Sequence, residues 1–127
     1  MSEIPGDLRY TEEHEWVRME GDIAVVGITD HAQDALTDIV WIEFLSDVGD
    51  AVEFNGAFAS VESVKSVSDI FVPLSGDIIA LNLDLQDAPE AINEDAYGSW
   101  IIKLKPEDPS LVDGLLDAAA YAKLIGE

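Results

Sequence analysis

The apolar residues of this chain fall in short β-branched runs, each closed by Gly, Asp or Pro, and few folds accept that pattern. Ile23-Ala24-Val25-Val26-Gly27-Ile28, Ile39-Val40-Trp41-Ile42-Glu43-Phe44-Leu45 and Phe58-Ala59-Ser60-Val61-Glu62-Ser63 read as strands. Leu8-Arg9-Tyr10 and His14-Glu15-Trp16-Val17-Arg18-Met19 precede them, with Glu20-Gly21-Asp22 as a turn. Asp47-Val48-Gly49-Asp50 is a second turn, and Ser99-Trp100-Ile101-Ile102-Lys103-Leu104 is a last strand. Strands this short at this spacing predict a mainly β fold, a small sandwich or barrel. Two segments on either side of Lys65, Val48 to Ser63 and Ile70 to Asn82, look like half-copies of one device. Pro73 fits only a sheet edge or a strand end.

Two stretches switch to helical character. Asp30 with Gln33 three residues on fits a capping box, so a short helix is expected to start at Asp30. After Pro106 and Pro109, the residues Leu111, Leu115, Leu116, Ala119 and Ala120 recur at helical spacing and predict a C-terminal helix packed on the sheets. Asp84 to Gly98, with Pro89 and many acids, has no regular pattern. No linker divides the 127 residues, so a single domain over 1–127 is expected, large enough for a core without staples.

With no Cys there is no thiolate nucleophile, disulfide or thiolate metal site, and any redox chemistry must come from a cofactor. The 27 acidic residues against 6 basic ones leave a net charge of −21, which excludes nucleic acid and disfavours an anionic membrane. Such a charge suits a mobile carrier that docks briefly on basic patches, and it also serves solubility. Met1-Ser2-Glu3-Ile4-Pro5-Gly6-Asp7 has no signal or transit character, and no run approaches the roughly 20 apolar residues of a membrane span. A cytoplasmic monomer is the expectation.

Lys65 is the one basic residue between Arg18 and Lys103, in Val61-Glu62-Ser63-Val64-Lys65-Ser66-Val67-Ser68-Asp69. As a bland surface feature it would be a gatekeeper on an edge strand. The small Ser63 and Ser66 leave its ammonium unobstructed, and Val64 and Val67 are expected to give the hairpin tip an apolar footing. A Lys with an ordinary pKa near ~10.4 and no neighbouring cation is a poor nucleophile. That favours an amine modified by another enzyme, with no catalytic residue in this chain. His14 with Glu12, Glu13 and Glu15, and His31 with Asp30 and Asp34, would be the ligands of a metal-dependent hydrolase, but they lack paired spacing and no metal is expected.

An ordered set of motifs then extends over nearly the whole chain. It comprises Tyr10-Thr11, His14-Glu15-Trp16-Val17, Val26-Gly27-Ile28-Thr29-Asp30-His31-Ala32-Gln33, Val48-Gly49, Val61-Glu62-Ser63-Val64-Lys65, Ser68-Asp69 and Pro73-Leu74-Ser75-Gly76. Asn82, Pro89, Asn93, Tyr97-Gly98 and Trp100 complete it. By these residues the chain resembles the glycine cleavage system H proteins, the lipoyl carriers of that pathway. The resemblance implies a biotinyl/lipoyl-type β-sandwich (barrel-sandwich hybrid), with a lipoyl-binding core over 22–104 and (R)-lipoate in amide linkage on Lys65. It implies a non-catalytic carrier that takes the aminomethyl group of glycine from the P protein, a pyridoxal-phosphate glycine decarboxylase. The group passes to the T protein, a folate-dependent aminomethyltransferase, and the L protein, dihydrolipoyl dehydrogenase, then reoxidises the arm. A lipoyltransferase or lipoate ligase is a further implied partner. Glu15 and Asp69 match family positions that line the cleft receiving the loaded arm.

Departures from the family pattern are Leu36-Thr37-Asp38, Ala80-Leu81 before Asn82, Ala96 before Tyr97, and Ser99 before Trp100. Ala35 stands where some members carry a cleft His, and that role is not transferred to His31. Val64 and Ser66 replace the flanking Met residues of a biotin carrier, and no tether marks an acyltransferase lipoyl domain. An H-like relay that delivers lipoate to other enzymes shares the same Lys motif, and an unmodified acidic scaffold is the remaining alternative.

Overall fold

The computed structural model describes residues 4–126; Met1-Ser2-Glu3 and the far end of the 1–127 span lie outside the described residues. Strands β1 (Arg9–Tyr10), β2 (Glu15–Glu20) and β3 (Ile23–Ile28) come first, then helix α1 (Asp30–Leu36) and β4 (Ile39–Phe44). They are followed by β5 (Ala51–Val52), β6 (Ala57–Ser63), β7 (Val67–Phe71) and β8 (Gly76–Leu81). Two one-turn helices, α2 (Asp84–Asp87) and α3 (Ala91–Glu94), precede β9 (Ile102–Pro106) and the terminal α4 (Ala118–Leu124). A six-stranded sheet in the order β1-β2-β3-β9-β8-β5 faces a three-stranded sheet in the order β4-β6-β7. The mainly β sandwich with an early helix and a terminal helix is therefore what forms. Each segment flanking Lys65 supplies one strand to each sheet: β5 and β6 before it, β7 and β8 after it.

Hydrophobic burial between the sheets is the main stabilising term. Ala24, Val26, Ile42, Phe58, Val61, Ile70, Ile78, Ile102 and Leu104 are all buried in one cluster, each larger side chain worth about 1.5–3 kcal/mol. A second cluster on the far side of the large sheet joins Tyr10, Trp16 and Val25 to Tyr121 of α4. Because β3 has a core on both faces, its sequence is a continuous apolar run with no alternation. Gly27 belongs to the same arrangement. It pairs with Trp16, and a Cβ there would stand 2.6 Å from the indole ring.

Five expectations need correction. Strand β2 begins at Glu15, not His14, because His14 has a left-handed backbone (φ 72) that breaks the extended run. The cap of α1 is Thr29, whose hydroxyl accepts from Ala32 N–H at 3.1 Å, and Gln33 reaches the Asp30 side chain at 2.8 Å. The irregular stretch after Asp84 holds α2 and α3, and the strand expected from Ser99 runs instead over Ile102–Pro106. The C-terminal helix is split. Pro109–Gly114 forms a 3-10 turn, then Leu116 exchanges two backbone hydrogen bonds with Tyr10 (2.8 and 2.9 Å). That pairing needs extended backbone, so α4 restarts only after Asp117 caps Ala120 N–H at 2.8 Å. Its buried residue is Tyr121, while Ala119 and Ala120 face solvent.

Candidate functional site

Lys65 stands exposed at the tip of the hairpin between β6 and β7, where Val61 pairs with Ser68 and Glu62 with Val67. Neither Val64 nor Lys65 has a positive φ, so the Asn-Gly type of two-residue turn is not used. Ser63 supplies the missing order. Its N–H donates to Ser66 O at 2.8 Å, and its buried hydroxyl oxygen accepts from Ser66 N–H at 3.1 Å. The same hydroxyl donates to Ser66 O at 3.2 Å. The apolar footing expected from the valines is absent, since Val64 and Val67 are 65% and 62% exposed.

A second brace comes from outside the hairpin. Val64 N–H donates to Asp38 O at 3.1 Å. Asp38 is held in turn by Asn93 of α3, whose amide donates to Thr37 O at 2.7 Å and to Gln33 Oε1 at 2.9 Å. The Asn93 side-chain oxygen accepts from Ile39 N–H at 2.9 Å. One asparagine thus ties the end of α1 and the start of β4 beneath the Lys65 tip. Among the described residues the one ion pair is Arg18–Glu20, so the Lys65 ammonium is not engaged in one.

Beside the hairpin lies a cleft of about 350 Å³ between the β1–β2 turn, α1 and β7. Its apolar walls include Ile28, Ala32, Ala35, Val61 and Ile70, and Ser68 and Asp69 bring it close to the Lys65 tip. The structure places Glu15 and Asp69 on this one cleft. Asp69 is exposed at its mouth, whereas Glu15 is only 2% exposed. Glu15 accepts from the Thr11 hydroxyl at 2.7 Å and from Phe71 N–H at 3.5 Å, and among the described residues no cation pairs with it. Burial pushes its pKa up to about 7; the Thr11 and Phe71 hydrogen bonds pull it down, and nearby Glu13 adds to the rise.

Two further residues line the cleft: His14, which sequence reasoning missed, and His31, to which it did not transfer the cleft role. Their rings are in contact, tilted by 46° with centroids 4.9 Å apart. Burial and His31 lower the pKa of His14, against a smaller raising effect of Glu13. The His14-Glu15 and Asp30-His31 motifs held both residues, but only the fold brings them together. No group of three His, Asp or Glu side chains among the described residues is placed to hold a metal. No helix among them is long and apolar enough to cross a membrane.

Comparison with known proteins identifies the family. The family model described as glycine cleavage H-protein matches residues 8–127. Glycine cleavage system H protein 2 of Pseudomonas putida is 55% identical over the full length of both chains. The glycine cleavage system H protein of Burkholderia vietnamiensis is also 55% identical, covering 98% of this chain and 99% of its own. Among solved structures, the H protein from Mycobacterium marinum superposes with a TM-score of 0.89 at 37% identity, covering 98% of this chain and all of that one. The sandwich is thus the lipoyl-type fold of those proteins, and the chain belongs to the glycine cleavage H-protein family.

Proposed function

We propose that this chain is the lipoyl carrier of a glycine cleavage system, with (R)-lipoate attached through an amide to Lys65 Nζ. The residues present fit that group. An exposed amine on a doubly braced turn is open to a lipoyltransferase or lipoate ligase, and the adjoining cleft offers apolar walls for a hydrocarbon arm. When bound, lipoate supplies the disulfide and dithiol chemistry that a chain without Cys lacks, carrying the aminomethyl group from the P protein to the T protein before reoxidation by the L protein. Tethering keeps the arm at high effective concentration near whichever partner is docked.

The chain's own residues act by presentation and shelter. Ser63 and Asn93 hold the tip that displays Lys65. Glu15 and Asp69 offer negative charge to a cationic amine in the cleft. The single domain, with a core over 22–104, functions as a non-catalytic, monomeric, cytoplasmic component. The observation that carries the reading is the pairing of an unengaged Lys65 with a cleft whose buried carboxylate has no cation. It also favours glycine cleavage over a lipoate relay, because lipoate itself brings no positive charge for Glu15 to meet.

The test is intact mass of the protein from its own cells, followed by peptide mapping across Lys65. One lipoyl adduct at Lys65 is expected; its absence in cells that lipoylate other proteins would count for an unmodified scaffold. Lys65→Arg should abolish glycine decarboxylation in a system reconstituted with P, T and L proteins. Lipoate transfer to other enzymes without P and T proteins would instead establish the relay.

A further inference from the structure

Tyr121 lies on the terminal helix, far along the chain from the cleft, yet its hydroxyl reaches the cleft wall. Its ring stacks on Tyr10 with centroids 4.7 Å apart. Its oxygen stands 2.9 Å from His14 Nδ1 and 2.8 Å from Thr29 Oγ1. His14 lines the cleft, held by its left-handed backbone and by hydrogen bonds to Thr11 O (3.1 Å) and from Thr29 N–H (3.0 Å).

Thr29 sets the direction of the protons in this chain. Its oxygen already accepts from Ala32 N–H as the cap of α1, and the Tyr121 oxygen, 2.8 Å away, is the acceptor within reach of its own proton. Thr29 is 0% exposed, so turning that proton away would leave a buried donor unpaired. With Thr29 donating to it, the Tyr121 hydroxyl can give its own proton to His14 Nδ1, 2.9 Å away. That nitrogen then carries none, and the imidazole proton sits on Nε2.

We propose that Tyr121 is a positioning residue of the cleft, its hydroxyl fixing His14 as the neutral imidazole protonated on Nε2, so that no positive charge develops beside an incoming cationic amine. The functional half of this rests on the arm-cleft reading above; the proton arrangement does not. A charged His14 would carry a proton on Nδ1, opposing the Tyr121 O–H and breaking the chain back to Thr29. The groups facing His14 are His31 from α1, Glu13 from the adjoining turn and Tyr121 from α4, with Glu15 and Asp69 on the cleft walls.

The experiment is long-range proton–nitrogen NMR of the histidines in the lipoylated protein across roughly pH 5–8. His14 is expected as the Nε2–H tautomer, titrating below the ordinary histidine range. Tyr121→Phe keeps the ring on Tyr10 but should mix the tautomers and raise the His14 midpoint. Thr29→Ser should preserve the wild-type signature and Thr29→Val should resemble Tyr121→Phe, so the test survives if one variant folds poorly. The lifetime of the aminomethyl-loaded Tyr121→Phe protein should fall about fivefold near pH ~6, the lower end of ordinary coupling between sites, and be unchanged near pH ~8. A purely structural defect would shorten it at both. An Nδ1–H tautomer in the wild type, or an unmoved His14 midpoint in Tyr121→Phe, overturns the proposal. A moved midpoint with unchanged lifetimes upholds the role of Tyr121 and tells instead against the arm-cleft reading.

Discussion

At the residue scale Glu15 has the largest energetic consequence. It is a buried acid with two neutral hydrogen-bond donors and no cation paired with it among the described residues, and its pKa rises from the ordinary 4.5 to about 7. Because the folded value is raised, the folded chain holds a proton that the unfolded chain has lost between those two values. Stability attributable to Glu15 therefore falls as pH climbs from about 4.5 to about 7, and is level above and below that window. Glu15→Gln removes the titration. Its stability relative to wild type should improve by up to about 3 kcal/mol between pH ~4 and pH ~8, measured by urea unfolding at each pH. An equal difference at both values would mean that Glu15 titrates normally. The position of Glu15 in an alternating strand was legible in the sequence, and its match to a cleft position marked it. Its protonation was not, since that depends on how completely Thr11, Phe71 and the sheet exclude water.

At the scale of elements, the Lys65 hairpin is rigid for reasons its own residues only half disclose. Ser63 is buried, and its hydroxyl bonds to both the N–H and the O of Ser66. Ser63→Ala should remove the side-chain hydrogen bonds to Ser66, which is exposed and open to water, and destabilise the protein by about 0.5–1.5 kcal/mol. Faster hydrogen exchange at Lys65 and Ser66 should accompany it, with slower lipoylation that still reaches completion. Unchanged exchange would show that the Asp38 brace suffices alone. That brace could not be read locally, because Asp38 meets the hairpin, and Asn93 the residues on either side of Asp38, only through the fold. The terminal helix shows the opposite error. Leu111, Leu115 and Leu116 recur at helical spacing, but Leu116 forms a backbone bridge with Tyr10 and Leu111 is 52% exposed. Tertiary pairing overrode a periodicity that was present in the sequence. The strands of the sandwich were legible because burial fixed their composition, as in β3, where both faces are covered.

For the whole molecule the governing quantity is charge. A net −21 on a chain of 127 residues repels itself in the folded state more than in the expanded one, so folding works against electrostatics at low salt. Attractive pairs offer little relief: the ion pair among the described residues, Arg18–Glu20, is exposed and worth about 0–1 kcal/mol. The Debye length shrinks from about 30 Å at 0.01 M to about 3 Å at 1 M salt, which spans the distances between surface acids. The melting temperature should therefore rise as sodium chloride is added over that range. Any salt can also strengthen apolar burial, so the control is a variant in which the exposed Asp22, Asp77 and Asp87 become Lys. If self-repulsion is the cause, that variant starts from a higher melting temperature in dilute buffer and gains less from salt. Equal gains in both proteins would assign the effect to burial and leave the acidic surface with partner docking as its main consequence. The same screening would then appear in kinetics, as a fall with ionic strength in the rate at which the chain meets a basic partner.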